Sequence, residues 1–299
     1  MNILVTTSSF GNSSFPDSVN VIMNPYKRKL TESEAIELVD KYRPAGIIAG
    51  VEPLTRKVME KAPELKVISR CGTGMDSVDL VAARSLGITV VNTPDAPTPS
   101  VAELTIGLML CLARHINTMD TGIRKGDWKG PQGMLLKEKT VGIVGCGRIG
   151  TYVAELVSAF GCRVLGYDPY IRQHGICTIV SMDELLNEAD IVTLHVPYSQ
   201  ANHHIIGEAE LGRMKSAALL INAARGGLVD EEALYAALKQ GVIAGAAMDC
   251  FELEPYKGKL TELDNTVLTS HIGSGAVETR KIMEAQAVEN LLKVLACGL

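Results

Sequence analysis

The chain has 299 residues, enough for one large or two medium domains, and 46% of them are hydrophobic, enough to fill a sizeable core. Its 34 acids outnumber its 29 bases for a net charge of −5, and no basic block interrupts the balance, which argues against nucleic acid as the main partner. Seven cysteines, with no C-x-x-C pair, argue against a disulfide framework and fit free thiols in a reducing cytoplasm.

Residues 1–6 carry no basic leader and form too short an apolar run for a signal peptide, so 3–6 is read as a first strand. Asn12-Ser13-Ser14 matches a glycosylation acceptor, taken as chance without a secretory signal. Strands are expected at 20–23, 46–49, 66–70 and 88–91. Helices are expected at 31–42, 55–61 and 78–86; Thr31 caps the first and Glu34 stands at its capping-box position. This alternation predicts a parallel sheet covered by helices. Pro94, Pro97 and Pro99 make 92–100 extended and stiff, a hinge. A long helix over 101–118 is apolar nearly all round, which predicts deep burial. Its most apolar part, 104–113, is too short to span a bilayer. A loop-rich stretch, 122–136, follows, with the only tryptophan, Trp128.

From Thr140 the alternation restarts. Val141 to Val144 reads as a buried strand, and Gly145-Cys146-Gly147-Arg148-Ile149-Gly150 fits G-x-G-x-x-G at a helix start. Gly145 makes the tight turn, Gly147 admits a pyrophosphate to the backbone, and Gly150 lets helix and strand pack closely. The next strand, 163–167, ends at Asp168, where a carboxylate can accept from both ribose hydroxyls. These features predict a dinucleotide site, and Asp168 favours NAD over NADP by repelling a 2′-phosphate. Further strands are expected at 191–195, 218–222, 243–248 and 266–268, before an amphipathic last helix over 276–295.

Ligands bind beyond the carboxyl ends of strands in such sheets. Arg225 follows the strand 218–222, Asp249 ends 243–248, Glu254 lies in the loop after it, and His271 follows 266–268. A guanidinium, a carboxylate and an imidazole on one sheet edge suit hydride transfer at a hydroxyl-bearing carbon. Imidazole titrates near neutrality and can take the hydroxyl proton; arginine can grip a carboxylate in a fork. His195-Val196-Pro197 either lines the adenine side of the cofactor or caps its strand. Cys71-Gly72-Thr73-Gly74-Met75, after the strand 66–70, offers a backbone nest for a substrate carboxylate. His203 and His204 read as solvated surface, Cys71 and Cys250 lack a local base, and no Cys/His spacing suggests a metal.

The chain resembles the D-2-hydroxyacid dehydrogenases, in their phosphoglycerate-dehydrogenase-like branch. The likeness runs nearly full length, through Ser69-Arg70-Cys71-Gly72-Thr73-Gly74-Met75-Asp76, Asn92-Thr93-Pro94, the glycine turn, Tyr167-Asp168-Pro169, Ala224-Arg225-Gly226-Gly227, Glu254-Pro255 and Ser270-His271-Ile272-Gly273. It implies an α/β fold of two doubly wound parallel-sheet domains. A Rossmann NAD-binding domain (98–273) is inserted in a flavodoxin-like substrate domain (1–97 and 274–299), which the last helix completes. It implies Arg225, Glu254 and His271 as the catalytic set, with His271 as acid and base. It implies cofactor contacts from Arg148, Ile149, Asp168, Ala223, Ala224, Arg225 and Asp249; Gly145, Gly147 and Gly150 of the turn, His195, Val196, Pro197, His271 and Gly273 complete the expected cofactor set. Substrate contacts are expected from Cys71 to Met75 and Arg225. The expected activity is NAD-dependent oxidation of a small D-2-hydroxy acid, or the reverse, in a cytoplasmic homodimer. The alternatives are 3-phosphoglycerate dehydrogenase and an NAD(H)-sensing corepressor. Two features depart from phosphoglycerate-handling members. Gly50-Val51-Glu52 carries an acid where they usually carry an arginine, and no serine-feedback extension is expected after the last helix.

Overall fold

The computed structural model describes residues 1–8, 10, 11 and 15–297; the triplet Asn12-Ser13-Ser14 lies outside them. The chain divides into two compact units, Met1–Pro97 with Ser274–Leu299, and Thr98–Gly273.

The first unit contains β1 (Asn2–Val5), β2 (Asn20–Met23), α1 (Glu32–Tyr42), β3 (Gly46–Ala49), α2 (Arg56–Glu60), β4 (Val67–Arg70), α3 (Leu80–Ser85) and β5 (Thr89–Asn92). Its strands are all parallel in the order β2-β1-β3-β4-β5, the flavodoxin-like winding. Side chains alternate between two cores, as the twofold period of a strand requires. Leu4, Ile47 and Ile68 pack with Leu38, Val58 and Ala82 of the helices on one face. Ile3, Val5, Ile48 and Val67 pack with Met283, Ala287 and Leu291 of the C-terminal helix on the other. The capping box is present: Glu34 N donates to Thr31 Oγ1, and Thr31 N donates back to Glu34.

The second unit opens with α4 (Thr98–Ala113) and α5 (Ile116–Arg124), then β6 (Thr140–Val144), α6 (Arg148–Ala159), β7 (Arg163–Tyr167) and β8 (Thr178–Ile179). It continues with α7 (Met182–Glu188), β9 (Ile191–Leu194), α8 (Glu208–Arg213), β10 (Leu219–Asn222), α9 (Glu231–Gln240), β11 (Gly245–Met248) and β12 (Thr266–Leu268). The C-terminal helix, α10 (Val277–Cys297), then returns to the first unit. The seven parallel strands run β12-β11-β10-β9-β6-β7-β8, a Rossmann winding with one further strand, and strand order reverses beside β6. Val141, Ile143 and Ile221 pack with α4 and α6 on one face, and Val192, Leu220 and Met248 with α7 to α9 on the other.

Three local expectations are corrected. The stretch 92–100 is not extended throughout, because α4 already begins at Thr98. Pro99 sits in its first turn, where a missing N–H breaks no helical bond. The single helix over 101–118 is two helices, bent by 61° after Ala113, with His115 left-handed at φ 52°. And α5 runs on to Arg124, shortening the loop expected from residue 122. Among the described residues, no single helix is long and apolar enough to cross a membrane.

Candidate active site

The glycine turn follows β6 at the topological switch. Gly145 has φ +98°, and a Cβ there would lie 2.7 Å from His195 O. A Cβ on Gly150 would overlap Gly145 O, so the third glycine lets α6 close against the turn. Gly147, the N-cap of α6, meets nothing within 4 Å at its Cβ position. That open space faces the first turn of a 12-residue helix, whose leading N–H groups have no intrahelical acceptor and whose dipole is positive there. Thr151 N, bonded to Gly147 O, starts the ladder. Arg148 and Ile149 open the helix, with Arg148 exposed. Asp168 is drawn back to the turn: Oδ2 accepts from Cys146 N at 3.0 Å and Oδ1 from Tyr170 N at 2.9 Å. An open cradle, a helix N-terminus and a carboxylate at the end of β7 fit a dinucleotide's pyrophosphate and ribose.

His195 does not cap its strand with its side chain. Its Nε2 lies 2.9 Å from Thr193 Oγ1, and Nδ1 is buried without a protein partner among the described residues. Burial lowers its pKa to about 3, so the ring is neutral. Its backbone seats the turn: His195 N donates to Val144 O, and the Val196 side chain fills the space beside Gly145. Pro197 is exposed and its carbonyl accepts from Asn202.

The three proposed catalytic side chains rise from the ends of β10, β11 and β12. Asn222, fully buried at the last position of β10, shapes the loop: its Oδ1 accepts from Ala224 N and its Nδ2 donates to Arg225 O. Ala223 is buried beneath, and Arg225 Nη1 donates to Ala224 O at 2.7 Å. Glu254 Oε1 accepts from Phe251 N, and both its oxygens lie 3.0 Å from His271 Nδ1. An ionised carboxylate only accepts, so Nδ1 carries the proton and Nε2 is left for chemistry. His271 is partly exposed and held at φ 55°, an uncommon backbone for a residue with a Cβ.

Asp249 is what holds that backbone. It is fully buried and turned inward. Its Oδ1 accepts from Thr269 Oγ1 at 2.6 Å and Ile272 N at 2.9 Å, and its Oδ2 from Gly273 N at 2.8 Å. His271 N donates to Asp249 O. The carboxylate expected to face a cofactor thus accepts from the loop that carries His271 and Gly273.

Cys250, read from sequence as a thiol without a local base, lies beside this pair. Its Sγ donates to Ala224 O at 3.3 Å, and its ligand atom lies within 4.8 Å of those of Glu254 and His271. Burial, then Asp249, push its thiol well above the ordinary range, with Arg225 opposing, so it stays protonated. Glu254 and His271 are already engaged with each other. Asn222 and Thr269 were missed; a polar residue closing an apolar strand, as Asn222 does, was the available signal. His203 and His204 are more than solvated surface: their rings stack at 3.7 Å, and His204 pairs with Glu252.

In the first unit, the loop after β4 is pinned to the segment after β5. Cys71 N donates to Ala49 O and Gly72 N to Thr93 Oγ1, while Asn92 Nδ2 donates to Thr73 O. The nest expected over Cys71 to Met75 therefore narrows. Thr73, Gly74 and Met75 keep backbone N–H groups with no protein acceptor among the described residues. Arg70 folds under Gly72 and donates to Cys71 O. Glu52 is buried, with Gly50 N and Thr6 Oγ1 donating to its carboxylate.

A family model described as D-isomer specific 2-hydroxyacid dehydrogenase, NAD binding domain, matches residues 106–273. A D-3-phosphoglycerate dehydrogenase of Methanocaldococcus jannaschii is 44% identical over 270 residues, 87% of this chain and 51% of the relative. The chain thus spans about half the length of that relative. A hydroxypyruvate reductase of Thermotoga maritima is 39% identical over 256 residues, 83% of this chain and 84% of the relative. The solved TT0316 protein of Thermus thermophilus superposes with a TM-score of 0.91 at 38% identity, covering 99% of this chain and 97% of that one. The chain belongs to the D-isomer-specific 2-hydroxyacid dehydrogenase family, and its second unit carries the family's NAD-binding domain.

Proposed function

We propose that the protein is an NAD-dependent oxidoreductase acting on a small, unphosphorylated D-2-hydroxy acid or its 2-keto acid. The observation that carries this reading is the His271–Glu254 pair, with Nδ1 3.0 Å from both carboxylate oxygens and Nε2 left to move a proton. Bound NAD supplies the hydride acceptor or donor. Arg225 forks onto the substrate carboxylate; His271 Nε2 takes the hydroxyl proton in oxidation and returns it in reduction. Glu254 holds the tautomer and faces the positive charge that forms on the ring. On the first unit, the same reading assigns the Thr73–Met75 amides to substrate.

Glu52 supports the unphosphorylated class. A buried carboxylate at that position repels a phosphate, and Arg70, the nearest substitute for the missing arginine, is folded onto its own loop. The name of the Methanocaldococcus relative keeps 3-phosphohydroxypyruvate as the competing substrate. A homodimer is part of the proposal: α5 buries none of its side chains, and Ile116, Ile123 and Trp128 are exposed. A cytoplasmic location fits the free cysteines.

NADH oxidation with glyoxylate, hydroxypyruvate, pyruvate and 3-phosphohydroxypyruvate tests the substrate class; preference for the phosphorylated member refutes it. His271→Ala is expected to lower kcat by about a hundredfold or more while NADH binding persists. Normal turnover in that variant, or NADH binding with no turnover on any keto acid, overturns the enzymatic reading.

A further inference from the structure

Two buried thiols that this mechanism does not use meet beside the glycine turn. Cys146 stands between Gly145 and Gly147, and Cys177 immediately precedes β8. They are 3% and 5% exposed, and both border the gap left by one glycine. Gly166, inside β7, makes the meeting possible. A Cβ there would lie 2.7 Å from Cys146 Sγ and 3.0 Å from Cys177 Cβ. Glycine weakens a strand interior, and here its missing side chain is the space that Cys146 Sγ and Cys177 Cβ adjoin.

A ring of hydrogen bonds closes around the pair. Ile176 N and Cys177 N donate to His174 Nδ1 at 3.2 and 3.1 Å, so the ring proton sits on Nε2. His174 Nε2 lies 3.0 Å from Thr151 Oγ1, which donates in turn to Cys146 O at 3.2 Å. Cys146 N donates to Asp168. The segment bearing Cys177, the turn bearing Cys146 and the expected ribose acceptor are therefore one connected assembly. Cys177, on the segment that carries the exposed Tyr170, is the attacking sulfur, and Cys146 the resolving one.

We infer that Cys146 and Cys177 form an oxidation site that a hydroperoxide converts into a disulfide, and that this disulfide weakens dinucleotide binding. The second half rests on the glycine turn being the NAD site. The Cys177 thiolate attacks one peroxide oxygen; the O–O bond breaks, hydroxide leaves and takes a proton, and Cys177 becomes a sulfenic acid. The Cys146 sulfur then attacks Cys177 sulfur; the S–S bond forms, the S–O bond breaks and water leaves with the Cys146 proton. Two thiols lose two electrons, and the peroxide becomes two waters. Access comes through opening of the segment before Cys177, where Tyr170 is 92% exposed. Drawing the two sulfurs into a covalent bond moves Cys146, and with it the Asp168 contact and the floor of the cradle at Gly147.

The test treats reduced full-length protein with hydrogen peroxide, with and without NADH. Cross-linked peptides are mapped by mass spectrometry, and NADH affinity is titrated before oxidation, after it, and after dithiothreitol. The expected results are a Cys146–Cys177 peptide, NADH binding about tenfold weaker, recovery on reduction, and protection by NADH, as reciprocal coupling requires. Cys177→Ser is expected to keep its affinity through peroxide. Failure to find the cross-linked peptide overturns the oxidation site. A mapped disulfide with unchanged affinity overturns the coupling, as does a Cys177→Ser protein that loses affinity like the parent. Reduced protein that does not bind NADH overturns the NAD reading and the coupling with it, while the peptide map still decides the disulfide.

Discussion

At the scale of single residues, much of the proposed site is buried polar groups whose work is to hold others. Asp249 offers its two oxygens to three donors on the loop that carries His271. Asp249→Ala would leave those donors without an acceptor, at a cost of about 3 kcal/mol in urea unfolding. It would also lower kcat by about a hundredfold through a misplaced imidazole, with little change in NADH affinity. Unchanged kcat would refute the positioning role. His195 gives a pH prediction. Its pKa falls from 6.5 to about 3 on burial, so below pH 6.5 the unfolded chain takes a proton that the folded chain refuses. Stability is therefore present above that pH and lost progressively down to about 3; the loss is about 2 kcal/mol by pH 5. In His195→Phe that part of the slope between neutral and acid midpoints should vanish; an identical slope would show that other groups carry it.

At the scale of elements, the glycine turn separates what glycine does for folding from what it does for binding. Gly147 is extended, at φ −73°, with open space around its Cβ position, whereas Gly150 abuts Gly145 O. Gly147→Ala should leave the thermal midpoint nearly unchanged yet weaken NADH by about tenfold or more, because a methyl occupies the cradle. Gly150→Ala should lower stability by about 1–3 kcal/mol through overpacking. Equal thermal loss in both, with equal NADH affinity, would sink the assignment. The turn was legible in sequence because its constraint is local: a strand, three glycines and a helix within a few residues. The α4–α5 break was not, because the apolar pattern continues past Arg114 and His115, while the bend lies in one left-handed residue. Nor was the direction of Asp249, since its acceptors' partners come from residues 269 to 273, set by the pairing of β11 with β12. His271 and Glu254 were identified by type and strand end, and their hydrogen bond needed the fold.

At the scale of the whole chain, the two units differ in what holds them together. The second is continuous, Thr98–Gly273, with both faces of its sheet covered by its own helices. The first is completed by α10, whose Met283, Ala287, Val288, Leu291 and Leu295 make up much of one side of its core. Without that helix, Ile3, Val5, Ile48 and Val67 lose their cover; burying side chains of this size contributes about 1.5–3 kcal/mol each. A fragment of residues 98–273 should therefore fold alone. It should show a cooperative urea transition by circular dichroism and bind NADH through the same turn as the full chain. A fragment of residues 1–97 should not fold until a chain containing 274–299 is joined to it or added. If 98–273 is unfolded, or folds without binding NADH, then either its core or its dinucleotide site depends on the first unit. Circular dichroism separates those outcomes, because an unfolded fragment loses its helix signal and a folded, non-binding one keeps it.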